Sequence, residues 1–378
     1  MRNRTGDHSW TGDYRRNGAP YRLWPWFGAL GLALLLLAGC GAAPTLRTPT
    51  APATPTITAT PTLKVLQTAI NLGTAVNYDA LVNDAEYRAL IQRYFTTTVP
   101  ENEMKFDAIE PQQGTFDFAK ADAIVRFAQE NHIAVRGHVL VANGQLPDWL
   151  KNGSFTRDQA MAILKNHIET VVGHYRGQVI SWDVINEAFL DGPWALRNNF
   201  WMRAIGPDYI SLAFIWAHEA DPQAVLYYND YSAEEMNGKS SAIYALLKNL
   251  RAQNIPVGGV GLEAHLTLAY HPNPTSVAAN MARFAALGLE VAITEMDVQI
   301  YQGSGTQAQR LQEQARYYGD IASACHHTPA CKTFVIWGFT DKYSWIYDYW
   351  KHADAPLPFD ASYAPKPAWQ ALLDTFLK

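Results

Sequence analysis

A (β/α)8 barrel is the fold this sequence predicts, and three observations lead to it. Eight short apolar runs rich in Val, Ile, Thr and Tyr recur between residues 64 and 378. Segments of helical period lie between them, the alternation of a parallel sheet covered by helices. Polar residues gather at the C-terminal ends of the runs, where such a barrel keeps its chemistry. A doubly wound open sheet is the competing arrangement, but no G-x-G-x-x-G follows the first run.

The runs cover residues 69–76, 96–103, 134–141, 180–187, 224–231, 259–265, 291–298 and 333–341. The clearest helix between them spans 157–175, where Met161, Leu164, Ile168, Val171 and Tyr175 share one face. Thr156 and Gln159 have the spacing of a capping box at its start. The second run ends in Glu101, Asn102 and Glu103, the third holds His138, and the fourth ends in Asn186 and Glu187. The fifth closes on Asn229 and Asp230, the sixth on Glu263 and His265, the seventh on Glu295 and Asp297, the eighth on Thr340 and Asp341. A polar group leaving an apolar strand is costly unless partnered. So many at one end are best explained by a polar site.

Composition narrows the function classes. The chain has 378 residues, 30 Lys+Arg, 35 Asp+Glu and a net charge of −5, with 48% hydrophobic and 17% charged residues. Disorder and collagen-like structure are excluded, and no basic footprint invites nucleic acid. Three cysteines cannot build a disulfide scaffold or a four-ligand zinc site. The 12 Trp, 19 Tyr and 15 Phe suit a sugar-binding surface, although a large core accounts for most of them equally well.

Residues 1–39 read as a leader. Arg2, Arg4, Arg15, Arg16 and Arg22 form a basic region, followed by an apolar run over 23–38 that is short for a spanning helix. The run ends Leu37-Ala38-Gly39-Cys40, which resembles the lipobox of bacterial lipoproteins, in which the Cys becomes the lipid-modified N-terminus. An ordinary signal peptide with a chance Cys is the alternative. Either way the chain is expected to be exported, as a membrane-anchored surface lipoprotein or as a secreted protein. Residues 40–63 then hold the lipidated Cys and a tether. Eight Thr and five Pro in residues 41–63 cannot bury a core and favour an extended coil. At about 3.1 Å per residue such a tether reaches roughly 70 Å. Residues 64–378 form the compact domain. Without the leader, 25 basic and 33 acidic residues remain, a net of −8.

The strand ends offer carboxylates, amides and aromatics, but no serine-nucleophile motif, phosphate loop or H-E-x-x-H. Two Glu on different strands of one barrel mouth suit glycoside hydrolysis, one protonating the leaving oxygen while the other attacks the anomeric carbon. Spacing alone leaves aldolases and metal hydrolases open, since they share such barrels.

Seven stretches make a specific resemblance: PENEMKFDAIEP (100–111), RGHVLV (136–141), SWDVINEAF (181–189), LYYNDY (226–231), AITEMDV (292–298), WGFTDKYSW (337–345) and APKPAW (364–369). In these motifs and their order, residues 66–378 resemble glycoside hydrolase family 10, the retaining endo-β-1,4-xylanases. The resemblance implies Glu187 as general acid/base and Glu295 as nucleophile. It implies that Asn186 binds the 2-hydroxyl of the reacting sugar, that His265 hydrogen-bonds Glu295, and that Asp297 orients His265. Glu101, Asn102, Lys105, His138 and Gln145 match residues that bind sugars on the non-reducing side of the cut. Tyr231 falls in a matching substrate-site motif, and Trp337 and Trp345 match walls over the reacting sugar. Cys325 and Cys331 match a disulfide found in many relatives. Xylan or a xylo-oligosaccharide is the implied partner, no cofactor is required, and a monomer is the default.

Several side chains have structural readings. Trp182 and Trp201 are expected in the core, Asp183 as a structural hydrogen-bonder, and His174 and His326 at the surface. The sequence also departs from the family. Ala142 stands where a platform Trp is usual and Asn143 where a His is usual; Trp149 is the neighbouring aromatic that could refill the space. Endo-action on xylan is therefore weighed against action on another or decorated β-linked glycan, and a non-catalytic glycan-binding lipoprotein is the remote third reading. Glu263 stands where Gln is usual, which places a third carboxyl beside the pair. Like charges raise carboxyl pKa values, so Glu263 is expected to shift the pH–rate profile. Ser232 and Phe106 replace a common Asn and Trp, both tolerably.

Overall fold

A computed structural model describes residues 70–377. The leader over 1–39, Cys40 and the tether to residue 63 lie outside the described residues. The strands are β1 (Asn71–Val76), β2 (Thr97–Pro100), β3 (Ala134–Val141), β4 (Ser181–Asn186), β5 (Val225–Asp230), β6 (Gly259–Leu262), β7 (His265–Thr267), β8 (Glu290–Gln299) and β9 (Cys331–Ile336). Each of β1 to β5 pairs in parallel with the next, β5 pairs with β6, β6 with β8, β8 with β9, and β9 returns to β1. That circuit closes eight parallel strands into a (β/α)8 barrel. The short β7 pairs with β8, where His265 stands opposite Asp297.

The sixth apolar run, expected as one strand over 259–265, is broken in two. Ala264 takes a left-handed φ of 62°, and its N–H leaves the ladder to donate to Glu234 Oε1 at 3.0 Å. A non-glycine residue adopts that conformation only when its surroundings impose it, and nothing in the local sequence announces Glu234. The break turns Glu263 and His265 into the barrel mouth. The second strand also stops earlier than expected, at Pro100, so Glu101 to Glu103 lie in the turn that follows.

The helices bury one face each against the barrel. Arg157–His174 starts with Thr156 accepting from the Gln159 N–H, and the Gln159 side chain accepts from Thr156 N–H in return. Leu164, Ile168, Val171 and Tyr175 are buried as the periodicity predicts, while Met161 sits at the edge of that face, partly buried. Asn237 and Thr306 cap the helices Gly238–Ala252 and Gln307–His326 in the same reciprocal way. Trp182 and Trp201 are fully buried. His174 is exposed and pairs with Asp122 at 2.8 Å, whereas His326 is only half-exposed, tilted against Phe376. Cys325 and Cys331 are disulfide-bonded at the junction of the last long helix with β9.

Candidate active site

The two carboxyls that organise the site come from opposite parts of the barrel. Glu187 is the first residue after β4 and holds a left-handed φ of 52°. Three bonds fix that conformation: its N–H donates to Asn229 O at 2.9 Å, Arg197 Nε donates to its carbonyl at 3.0 Å, and the Arg197 N–H donates to Ala188 O at 2.7 Å. Glu295 lies within β8, its N–H donating to Glu263 O at 3.0 Å. Both are buried.

Asn229, at the end of β5, ties the mouth together. Its Oδ1 accepts from Thr294 Oγ1 at 2.6 Å. That contact points its amide nitrogen at Asn186 Oδ1 (2.8 Å), Glu295 Oε1 (2.8 Å) and Glu263 Oε1 (3.2 Å). Gly261 on β6 makes the arrangement possible, because a Cβ there would stand 2.1 Å from Asn229 Oδ1. Asn186 in turn brings its Nδ2 to 3.5 Å from Glu187 Oε1. The sequence marks Asn229 only as a polar strand end; its role depends on partners from β4, β8 and the end of β6 and has no local signal.

On the other side, His265 Nε2 faces Glu295 Oε2 at 3.3 Å and its Nδ1 faces Asp297 Oδ2 at 2.9 Å. Burial works against the charged ring, but Asp297 and Glu295 override it and push the His265 pKa up to about 10. Trp345 Nε1 donates to the same Asp297 oxygen at 2.8 Å. His138 Nδ1 lies 3.1 Å from Asp183 Oδ2 and 3.7 Å from Glu295 Oε1. Asp183 also receives Arg136, whose guanidinium lies over the Tyr227 ring. Burial would raise the Asp183 pKa, but Arg136 and His138 hold it below the ordinary carboxylate range.

Electrostatics divide the carboxyls. Burial first, then the charges of Asp230 and Glu295, push Glu187 up to about 7. Burial, then Glu295, Glu187 and Asp230, push Glu263 well above its usual range. Glu295 instead receives donors from both flanks, Asn229 and His265. One carboxyl is thus suited to give a proton at neutral pH and the other to present its lone pairs.

Glu101, Lys105 and Asn102 cluster beyond β2, with Lys105 Nζ donating to Asn102 Oδ1 at 2.9 Å; burial pushes Glu101 up to about 7. Glu103 turns inward to accept from the Asn102 and Tyr78 N–H groups. Gln145 takes a left-handed φ of 54° and its carbonyl accepts from Asp107 N–H. Trp337 packs on Ala75, Val99 and Val335, with Trp345 against this group, and the His138 and His265 rings stand 5.0 and 6.4 Å from Trp337. Tyr231 is engaged behind Glu187: its hydroxyl accepts from Arg197 NH2 and donates to Asp191 Oδ2, both at 2.6 Å. Lys239, fully buried, bridges Asp191 and Asp230 in the same network. Arg197, Asp191 and Lys239 were not legible as site residues, because their partners are brought together only by the fold.

Trp149, the aromatic that could refill the place of the usual platform Trp, is half-buried and anchored to Glu110. Its Nε1 donates to Glu110 O at 3.0 Å and its ring packs among Phe106 and Phe155.

Comparison with known proteins places the chain in a family. The family model for glycosyl hydrolase family 10 matches residues 63–375. Endo-1,4-beta-xylanase B of Thermotoga neapolitana is 43% identical over 290 residues, 76% of this chain and 83% of that protein. Native xylanase 10B from Thermotoga maritima superposes with a TM-score of 0.79 at 41% identity, over 82% of this chain and 95% of that one. Xylanase 10B from Thermotoga petrophila RKU-1, solved in complex with xylobiose, gives 0.79 at 41% identity, over 82% and 94%.

Proposed function

The chain belongs to glycosyl hydrolase family 10, and from that premise we propose that it hydrolyses β-1,4-xylosidic linkages within xylan by double displacement. Glu187 gives its proton to the leaving oxygen while Glu295 attacks the anomeric carbon and forms a glycosyl ester. Glu187, now a base, then takes a proton from the water that cleaves the ester. The observation that carries this reading is the opposed setting of the two carboxyls: Glu187 is pushed up to about 7, and Glu295 is met by donors from Asn229 and His265. Asn186, anchored through its Oδ1, keeps its Nδ2 beside Glu187 for the 2-hydroxyl of the reacting sugar. Glu101, Asn102, Lys105, His138 and Gln145 bind the sugars on the non-reducing side, and Trp337 and Trp345 wall the reacting ring. No step requires a cofactor.

The test uses xylohexaose and, separately, cellohexaose, with products followed by chromatography. Short xylo-oligomers that disappear in Glu295→Ala support the reading. No cleavage of xylohexaose by folded wild type overturns it in favour of a decorated or different β-linked glycan. That second reading rests on Ala142 together with the inward-turned Trp149.

The leader and tether extend the proposal to place: a monomeric enzyme exported and held on a membrane by lipid on Cys40. Two or more acyl chains make such anchoring firm. Loss of the protein from the membrane fraction on Cys40→Ala is the expected result, and unchanged membrane association overturns the anchor.

A further inference from the structure

We propose that Glu263, His265 and Glu295 form a binding site for a divalent transition-metal ion of the Zn2+ type, and that an ion held there blocks the nucleophile. Among the described residues, these three are the one group of His, Cys, Asp or Glu whose ligand atoms all lie within 4.8 Å of one another. His265 Nε2 stands 3.3 Å from Glu295 Oε2 and 3.9 Å from Glu263 Oε2. Zinc held about 2.0–2.2 Å from each donor in a tetrahedron sets donors roughly 3.3 Å apart. One edge of the set already has that length, and a rotation of the Glu263 carboxyl brings in the rest.

Two further observations, both outside the distances themselves, favour a metal. The first is the support behind His265. Its Nδ1 faces Asp297 Oδ2 at 2.9 Å, and that oxygen is fixed by Trp345 Nε1 at 2.8 Å. A carboxylate on the far nitrogen is the usual backing of a zinc-bound imidazole, since it fixes the ring and strengthens the ligating nitrogen. The second is a count of hydrogens around Glu263, which is 2% exposed. Among the described residues, the donor within hydrogen-bond distance is Asn229 Nδ2, at 3.2 Å. That nitrogen has two hydrogens and two closer acceptors, Asn186 Oδ1 and Glu295 Oε1, each at 2.8 Å. Glu263 is therefore a buried carboxyl whose hydrogen bond from Asn229 is long and shared with two closer acceptors, so a cation would be a stronger partner for it.

One imidazole and two carboxylates suit zinc better than calcium or magnesium, which take more oxygen ligands or keep their water. Three protein ligands leave a fourth position open toward the cleft, where water or a sugar oxygen fits. His265 Nε2 and Glu263 bind the ion only in their deprotonated forms, and the bond of the ion to Glu295 occupies the lone pair needed for attack. With Gln at position 263 the second carboxylate ligand is missing, so the site is a property of this chain's own substitution.

Binding does not depend on the proposed function; inhibition rests on Glu295 being the nucleophile. The two are read separately. Calorimetric titration of the full chain with Zn2+ alone, in a non-coordinating buffer at pH 7, measures binding. One saturable micromolar site, weakened at least tenfold in Glu263→Gln, is expected; Glu263→Asp, which keeps the charge, should fall between them. Equal affinity in wild type and Glu263→Gln overturns the proposal, since zinc would then sit elsewhere. Xylohexaose hydrolysis, for the active wild type, is expected to be inhibited by Zn2+ in competition with substrate and restored by EDTA. Saturable binding with undiminished hydrolysis overturns the claim that the ion blocks Glu295.

Discussion

Trp345 Nε1 donates a hydrogen bond of 2.8 Å to Asp297 Oδ2. The tryptophan expected to wall the sugar site is thereby connected, through Asp297 and His265, to Glu295. Trp345→Phe keeps most of the aromatic face and removes the donor. Hydrogen bonds to charged groups are worth about 1.5–3 kcal/mol, part of which water recovers at a half-buried site. The expected result is a kcat/KM about tenfold lower, equivalent to ~1.4 kcal/mol, with kcat falling more than KM rises. A change confined to KM would mean that the indole serves only as a platform.

Gly261 is expected to be as sensitive as a catalytic residue although it touches no substrate. A Cβ there meets Asn229 Oδ1 at 2.1 Å and Thr294 Cγ2 at 2.8 Å, well inside contact distance. Gly261→Ala must move the Asn229 amide, which orients Asn186 and donates to Glu295. A loss of kcat/KM of about a hundredfold, on the order of misplaced active-site groups, is expected, with the circular dichroism spectrum unchanged. Near-normal turnover would show that Asn229 does not set the nucleophile's position.

The contrast between these two positions shows what the sequence makes readable. The barrel was legible because strand and helix periods are local patterns, and the polar strand ends located the mouth before any distance was known. Glu187 and Glu295 stood out through their motifs. Asn229 did not, because a strand-terminal Asn has the same local pattern whether it caps a turn or bridges three acceptors. Gly261 reads as an ordinary strand glycine until the Asn229 side chain on the neighbouring strand is placed. The break at Ala264 depends on Glu234, 30 residues earlier, and the inward turn of Trp149 depends on Glu110, 39 residues earlier. Each is a tertiary event without a local trace.

Glu187, the acid of the proposed mechanism, is pushed up to about 7 by burial and then by Asp230 and Glu295. A general acid works while it holds its proton, so kcat/KM on xylo-oligosaccharides is expected to fall as pH rises through about 7 and to be full on the acid side of that limb. Glu187→Gln should lower xylohexaose hydrolysis by about 10²–10⁴-fold, the usual range for such groups, and should abolish this limb on an aryl xylobioside whose leaving group needs no proton. Persistence of the same limb in the variant would assign it to another group.

Asp183 is buried between Arg136 and His138. Removing one partner of a buried ion pair leaves the other charge uncompensated, at about 3–5 kcal/mol. Asp183→Ala is therefore expected to lower stability by that order in urea denaturation, and to impair catalysis through the neighbouring His138. The double variant Asp183→Ala/Arg136→Met should recover part of the loss, because it removes the stranded charge. A double variant no more stable than the single one would place the defect in packing around Trp182 and Tyr227 instead of in the charge.

Ala142 follows β3 at a position where the resemblance expects a platform tryptophan, and Trp149 is committed to Glu110, Phe106 and Phe155. The platform ring is absent, and the indole N–H of Trp149 is bonded to Glu110. Ala142→Trp should then restore a face for linear chains, lowering KM for xylohexaose by about three- to tenfold, which corresponds to the ~0.5–1.5 kcal/mol of an aromatic contact. The same ring would take up the space available for a side branch, so kcat/KM on arabinose-decorated oligomers should drop relative to wild type. Parallel gains on linear and branched substrates would show that Ala142 leaves the platform weaker without widening the site, and would remove the reason to weigh a decorated glycan at all.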